Sequence, residues 1–569
     1  MRIERLPFDD QTVKTWTEPH GRHHNWPVVY TLNDKTEVYV GETLNAVGRL
    51  RQHLDNPEKS HLSSFRVVLD DTFNKSVCLD LESYLIRLFA GDGPYTVLNR
   101  NVGITDSDYY ERARYQALFA EIFDQLRGDG LFSKSIDQIE NSDLFKLSPF
   151  KALNHDQESA IVDILEGLFD DLEKGVPNSV VIQGEPGTGK TIVAIYLMKL
   201  LQDIAASEPS DDASSDSVFS DFFVEGHREL LKDFRVGLVV PQRSLRKSIQ
   251  KVFRKVPGLR PSMVMGASDV ANSRDPFDLL LVDEAHRLGR YGANPDRAGF
   301  EKQSRAVARP GENWRELTQL DWIERKSKQR ILLLDREQTV RPLDLSKDQV
   351  DRVLGAALRG QRKYTLRSQM RVAAGSDYIG YVRTVLDGGA GIEPRAFGAY
   401  DLRLFDSLPE MRQLVFDKDR EFGLARVVAG FAWEWVSQRE PDRADIKVDG
   451  LELFWNRARE DWINSPTSLE EVGSIHTVQG YDLNYAGVIV GPDLFWDQAS
   501  RRVAVNRSAY ADSKGKEGSP TLGVTVDDEA LLSLVKNIYR VLLTRGMKGT
   551  YVYVCDPALR AHLRPFLTP

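Results

Sequence analysis

VVIQGEPGTGKTIVA, residues 180–194, runs from three apolar residues that stop at Gly184, through a glycine-punctuated turn, into an apolar helical pattern. Gly184, Gly187, Gly189, Lys190 and Thr191 stand as G-x-x-x-x-G-K-[ST] between a strand and a helix, the setting a phosphate-binding loop needs. The glycines let successive backbone N–H groups point into one concavity, and the helix N-terminus adds its partial positive charge. Lys190 is placed to reach the β and γ phosphates, and the Thr191 hydroxyl to take a position on Mg²⁺. ATP with Mg²⁺ is the expected ligand.

Downstream, FDLLLVDEAH (277–286) carries Asp283 and Glu284 to the C-terminal end of an apolar strand, where ligands of parallel α/β sheets sit. Asp283 is expected to hold Mg²⁺ through water and Glu284 to polarise the attacking water. An acidic pair ending a strand is weak evidence alone; the phosphate loop before it gives it weight. ILLLDREQTV (331–340) reads as a further buried strand ending in Asp335 and Gln338. VGLVVPQRSLRKSIQKVF (236–253) reads as a strand, a turn at Pro241 and a basic helix. Residues 205–224, rich in serine and aspartate, read as a solvated, mobile insertion. The cations of 287–330 (Arg290, Arg297, Lys302, Arg305, Arg309, Arg325, Lys326, Lys328, Arg330) leave two readings open, a solvated insertion or a track for a nucleic-acid backbone.

With 569 residues the chain is too long for one core. Its 41% hydrophobic and 28% charged residues are those of soluble globular protein, and no apolar run is long enough to cross a bilayer. No membrane association is expected. Two cysteines, Cys78 and Cys555, make neither a disulfide framework nor a zinc site, which with the absence of a secretory h-region suits the cytoplasm. The net charge of −9 rules out a general polycation but not a local basic channel.

Before the phosphate loop, residues 28–102 read as a small α/β unit. VVYTL (28–32) and EVYVG (37–41) form a hairpin signal around Asn33-Asp34; a helix with Arg49 and His53 on one face follows (44–54). RVVL (66–69) reads as a third strand, LDLESYLIRLF (79–89) as an amphipathic helix carrying Glu82, and TVLNRN (96–101) as the close. This stretch resembles the GIY-YIG nuclease domain: Val28-Val29-Tyr30 and Tyr39-Val40-Gly41 match its signature strands, and Arg49, His53, Glu82 and Asn99 match the residues after them. The first glycine of the motif is replaced by Val28. The resemblance implies divalent-metal-dependent phosphodiester cleavage. Glu82 would hold Mg²⁺ or Mn²⁺, Tyr30 with Tyr39 or His53 would orient or deprotonate the water, Arg49 would neutralise the phosphate, and Asn99 would fix the local structure or the metal shell.

From residue 150 onward the chain resembles superfamily 1 helicases, and within them the Schlafen-like group, on HTVQG…VIVG (476–491) and LLTRGMKG (542–549). The resemblance implies that Gln157 reads the adenine edge, Gln338 senses the γ-phosphate, and Arg371 in YTLRSQMR (364–371) is delivered to the nucleotide cleft. It further implies nucleotide-site roles for Gln479 and Gly480 and makes Arg545 the arginine finger. Gln242, Ser244 and Arg246 become contacts to the bound strand's phosphates, and His286 and Arg287 a link from the nucleotide to the nucleic acid.

The expected architecture is α/β: a GIY-YIG domain (1–102), a helical connector (103–150), a RecA-like parallel-sheet motor domain (151–345) and a second one (346–569). The expected function is an ATP-dependent translocase or helicase coupled to an endonuclease, with bacterial defence or DNA repair as natural settings. Nucleic acid is the expected partner, DNA favoured and RNA left open. The competing reading is an NTP-dependent switch that binds nucleic acid through the small domain without cutting.

Overall fold

The computed structural model describes residues 1–16, 21–99, 108–151, 153–207, 218–292, 297–335, 339, 341–368, 372, 374–389, 391–458, 462–478 and 481–567. The chain is α/β and forms two compact units. Met1–Leu165, Ile192–Asp233 and Ile249–Met263 make up one, and Glu166–Thr191, Phe234–Ser248 and Val264–Pro569 the other. Among the described residues no helix is long and apolar enough to cross a membrane.

The first unit holds a five-stranded sheet, ordered Arg2–Pro7, Ser64–Leu69, Val28–Asn33, Glu37–Thr43, Thr96–Val97. All pairings are antiparallel except the last. Val28–Asn33 is buried along its whole length, as a central strand covered on both faces should be. Val28 lies in the apolar cluster with Phe8, Trp16, Leu32, Leu50 and Phe65, so its side chain serves packing where the motif has glycine. The hairpin turns on Asp34, whose Oδ1 accepts the backbone N–H groups of Thr36 and Glu37 at 2.7 Å each. The strand Arg2–Pro7 is not legible in the sequence. Its RIERLP alternates poorly because it is an edge, where charge blunts further pairing.

The connector packs on this same unit. Its helices Arg112–Gly128, Ile136–Glu140 and Asp143–Lys146 cover the helix Lys75–Asp92. Asp80 accepts from Tyr109 Oη at 2.9 Å and Arg112 Nε at 3.3 Å, and Asp92 from Ser133 N and Oγ at 2.8 Å. Gly91 permits the approach: a Cβ there would lie 2.7 Å from Ile139 and 2.8 Å from Phe145.

The second unit contains two wholly parallel sheets, an arrangement consistent with RecA-like domains. The first lobe's sheet runs Lys363–Leu366, Asn178–Gly184, Ser327–Leu334, Phe277–Val282, Val236–Val239, Val264–Met265. Its pairings are all parallel. The second lobe's sheet runs Asp401–Phe405, Gly546–Val554, Leu483–Val490, Ala425–Ala429, Val472–Ser474. This sheet too is parallel throughout.

Two expectations need correction. Lys363–Leu366 lies beyond the expected boundary at residue 345, yet it pairs with Asn178–Gly184, because the helix Lys347–Arg359 returns the chain to the first sheet's edge. The insertion 205–224 is not solvated throughout. Phe219 and Phe222 are buried and Phe219 packs on Tyr196, with ring centroids 5.5 Å apart, because apolar rings recover more by burial than the polar stretch loses. Residues 208–217 of it lie outside the described residues.

Candidate functional site

The strand Asn178–Gly184 delivers the phosphate loop, and the helix Lys190–Ala206 leaves it. Gly187 and Gly189 have φ of 86° and 79°, a backbone region that costs any other residue strain. At Gly184 a Cβ would collide with the Thr188 hydroxyl. Lys190 is 6% exposed; its Nζ donates to the carbonyls of Gly184 (2.7 Å) and Glu185 (3.1 Å) and lies 4.0 Å from Asp335. An ammonium this buried is held at the loop's mouth by acceptors that phosphate oxygens can replace.

Thr191 Oγ1 donates to Asp283 Oδ2 at 2.8 Å, across 92 residues of sequence. A hydroxyl and a carboxylate brought together beside a phosphate loop form a hard oxygen donor set that fits Mg²⁺. Burial and the neighbouring Glu284 push the Asp283 carboxyl above its usual range. Glu284 has φ of 47°, in the left-handed region where a non-glycine residue is strained, as at many catalytic positions.

His286 sets the geometry beyond this pair. Its Nδ1 accepts the backbone N–H of Asp335 at 3.2 Å, and its Nε2 lies 3.1 Å from Glu284 Oε2. The imidazole therefore stands between Glu284 and the end of the neighbouring strand, a position the D-E-A-H spelling alone does not reveal. Arg287 Nη1 donates to Gln242 Oε1 at 3.2 Å, and Gln242 Nε2 to Ser244 Oγ at 3.1 Å. Arg246 instead donates to the Val240 carbonyl at 3.4 Å and fills the space over Gly266.

Arg545 is 2% exposed and donates to the carbonyls of Tyr481 (3.1 Å) and Val541 (3.3 Å), both in the second lobe. Gln157 is buried in the first unit, where it and Asn154 cap a helix reciprocally at 3.1 and 2.9 Å. Gln338, Arg371, Gln479 and Gly480 lie outside the described residues.

The cations of 287–330 are largely spent on the protein itself. Arg305 pairs with Glu301, Arg325 with Glu312 and Lys328 with Asp278, while Arg290, Lys326 and Arg330 bond backbone carbonyls. Arg297 reaches Glu517. This pairing favours the structural reading of the segment over a phosphate track.

A second constellation sits in the first unit. Tyr30 Oη lies 2.7 Å from His53 Nε2, and the Tyr30 ring centroid is 6.2 Å from that of Tyr39. The Arg49 guanidinium interacts electrostatically with both phenols and donates to Gln52 at 2.9 Å. Burial drives the Tyr30 phenol well above its ordinary pKa, with Tyr39 adding to the rise. Burial, Lys59 and Arg49 press His53 down to about 3, so the imidazole is neutral. Glu82 is raised to about 8 by burial and by Glu42, against the pull of Lys75 and Arg49. Asn99 exchanges hydrogen bonds with the backbone of Val40, accepting its N–H at 3.0 Å and donating to its carbonyl at 2.7 Å. It fixes the strand between Tyr39 and Gly41. Glu82 is thus a buried carboxyl of raised pKa whose charge is felt by Tyr30 and Tyr39 and which feels Arg49.

Gly41 faces Tyr30 so closely that a Cβ would meet its hydroxyl. Gly41→Ala is expected to displace that phenol and cost roughly 1–3 kcal/mol of stability. Thermal unfolding of the variant measures it; an unchanged midpoint would show that the contact is soft.

A family model described as Schlafen group 3, DNA/RNA helicase domain, matches residues 177–556. An uncharacterized protein of Saccharomyces cerevisiae is 27% identical over 417 residues, which cover 68% of this chain and 84% of that protein. The ATP-dependent DNA helicase RecG of Aquifex aeolicus is 32% identical over 149 residues, 25% of this chain but only 17% of its own length.

Proposed function

The chain belongs to the Schlafen group 3 family through its DNA/RNA helicase domain, and from that premise we propose an ATP-driven nucleic-acid motor coupled to a metal-dependent endonuclease that acts on DNA. The observation that carries the motor is the convergence of Lys190, Thr191, Asp283 and Glu284 past the C-terminal ends of two strands of one parallel sheet, Asn178–Gly184 and Phe277–Val282. Bound Mg²⁺ supplies charge neutralisation on the phosphates. Lys190 exchanges its two loop carbonyls for phosphate oxygens, and Thr191 with Asp283 would hold the ion. Glu284, positioned by His286, aligns the water that attacks the γ-phosphorus. Arg545 meets the charge that develops on the departing phosphoryl, after giving up the carbonyls that hold it.

What supports the endonuclease is the Tyr30–His53–Arg49–Tyr39 cluster with Glu82 nearby. In this proposal Glu82 would hold a divalent cation, which when bound would supply charge neutralisation at the scissile phosphate. Tyr30, held by its bond to neutral His53, orients the attacking water, and Arg49 offsets the phosphate's negative charge. Domain limits and individual site roles are part of the same proposal. The internal pairing of the 287–330 cations favours a second reading, an ATP-dependent switch without productive cutting.

Incubating the purified protein with linear and circular DNA and RNA, with Mg²⁺ or Mn²⁺ and with or without ATP, separates the two. Cleavage that needs the metal supports the nuclease. ATP turnover that ignores every nucleic acid, with no cutting, supports the switch. Arg545→Ala is expected to lower kcat about a hundredfold with ATP KM nearly unchanged, as befits a group acting in the transition state. An equal loss in affinity would count against the finger.

A further inference from the structure

The helix that begins at Arg243 faces both halves of the nucleotide machinery. At its start Gln242 accepts from Arg287, the residue after the D-E-A-H stretch. One turn and a half later Ser248, 1% exposed, places its Oγ 3.1 Å from the hydroxyl of Tyr481. Ser248 follows the first lobe's strand Val236–Val239, whereas Tyr481 precedes the second lobe's strand Leu483–Val490. The bond therefore crosses between lobes.

Tyr481 is 6% exposed, and its ring packs in the second lobe's core with Ile475, Val478, Ile538 and Leu542. Its other end is committed as well. The Tyr481 carbonyl accepts from Arg545 Nη1 at 3.1 Å, and the Arg545 carbonyl accepts from Leu483 N at 3.1 Å. A tyrosine side chain has only two soft torsions, so a ring clamped in a core moves with its own backbone. A shift of the helix felt at the phenol is thus passed to the carbonyl that restrains the guanidinium.

We propose that Tyr481 is a positioning residue that makes ATP turnover depend on a bound strand, by linking the helix at Ser248 to Arg545. This rests on the motor and finger roles proposed above. Strand phosphates bound at Gln242 and Ser244 move the helix, and the Ser248–Tyr481 bond draws the Tyr481 carbonyl off Arg545, which then turns to the γ-phosphoryl. Without the hydroxyl bond, the strand binds but its arrival is not reported.

The test is ATP turnover by the full chain with and without single-stranded DNA or RNA, with strand binding measured alongside. Tyr481→Phe removes one oxygen and keeps both the packed ring and the carbonyl. Tyr481→Phe and Ser248→Ala are each expected to keep strand-free kcat, ATP KM and strand affinity within about twofold while losing the stimulation by nucleic acid. The double variant should be no worse than either single one, since both remove the same bond. Full stimulation in Tyr481→Phe, or additive losses in the double variant, would overturn the link. Lys190→Ala separates the two levels. If wild-type turnover depends on Lys190 yet ignores both DNA and RNA, this inference fails and the ATPase stands; if turnover does not depend on Lys190, the motor reading itself fails.

Discussion

ATP turnover is expected to fall by about a thousandfold in Lys190→Ala, the sum of a lost phosphate contact in the ground state and a larger one in the transition state. The effect is large because the loop holds its cation in one place. The Lys190 ammonium is buried between the Gly184 and Glu185 carbonyls and Asp335, and no other cation is bonded to those carbonyls among the described residues. The variant should still fold, since the loop's shape comes from Gly187 and Gly189 in left-handed geometry and from Thr188, whose hydroxyl donates to the Glu185 carbonyl at 3.0 Å. Steady-state kinetics with a thermal-unfolding control checks both points. Retained turnover in a folded Lys190→Ala protein would remove the phosphate loop from the chemistry.

Metal-dependent cleavage is expected to fall by a similar factor in Glu82→Gln, a substitution of nearly the same shape. A bound divalent ion lowers a phosphodiester barrier by several kcal/mol, and each 1.36 kcal/mol is about tenfold in rate. Glu82 must first lose a proton held up to about 8 by burial and by Glu42. A cation competes with that proton, so its apparent affinity climbs as pH rises toward 8 and levels off above it. Calorimetry with Mn²⁺ and a cleavage assay over the same pH range read the two effects separately. Glu82→Gln should abolish the Mn²⁺ heat and leave ATP turnover intact. Cutting that persists in this variant, or an Mn²⁺ affinity flat across that range, would place the ion elsewhere.

Part of this protein was decided along the chain. Local pattern is enough wherever adjacent residues act together on one ligand or one face. The phosphate loop needs its glycines, lysine and threonine in a row, and Asp283-Glu284 need only follow an apolar strand. The β-rich runs at Val28–Asn33 and Glu37–Thr43, joined by a turn signal, and the periodicity of Lys75–Asp92 placed the tyrosines and Glu82 for the same reason. Partners distant in sequence leave no such trace. The 92-residue reach from Thr191 to Asp283, the His286 bond to Asp335, and the return of Lys363–Leu366 to the first sheet exist only once parallel strands lie side by side. The cations of 287–330 could be read either way until their carboxylate and carbonyl partners were in place. Tyr481 carries no motif of its own; packing puts its hydroxyl on one lobe's helix and its carbonyl on the other lobe's arginine. Sequence determined which chemical groups the molecule owns, because short-range backbone preference and burial pattern are local. Tertiary structure decided which of them meet, because hydrogen bonds are made across space.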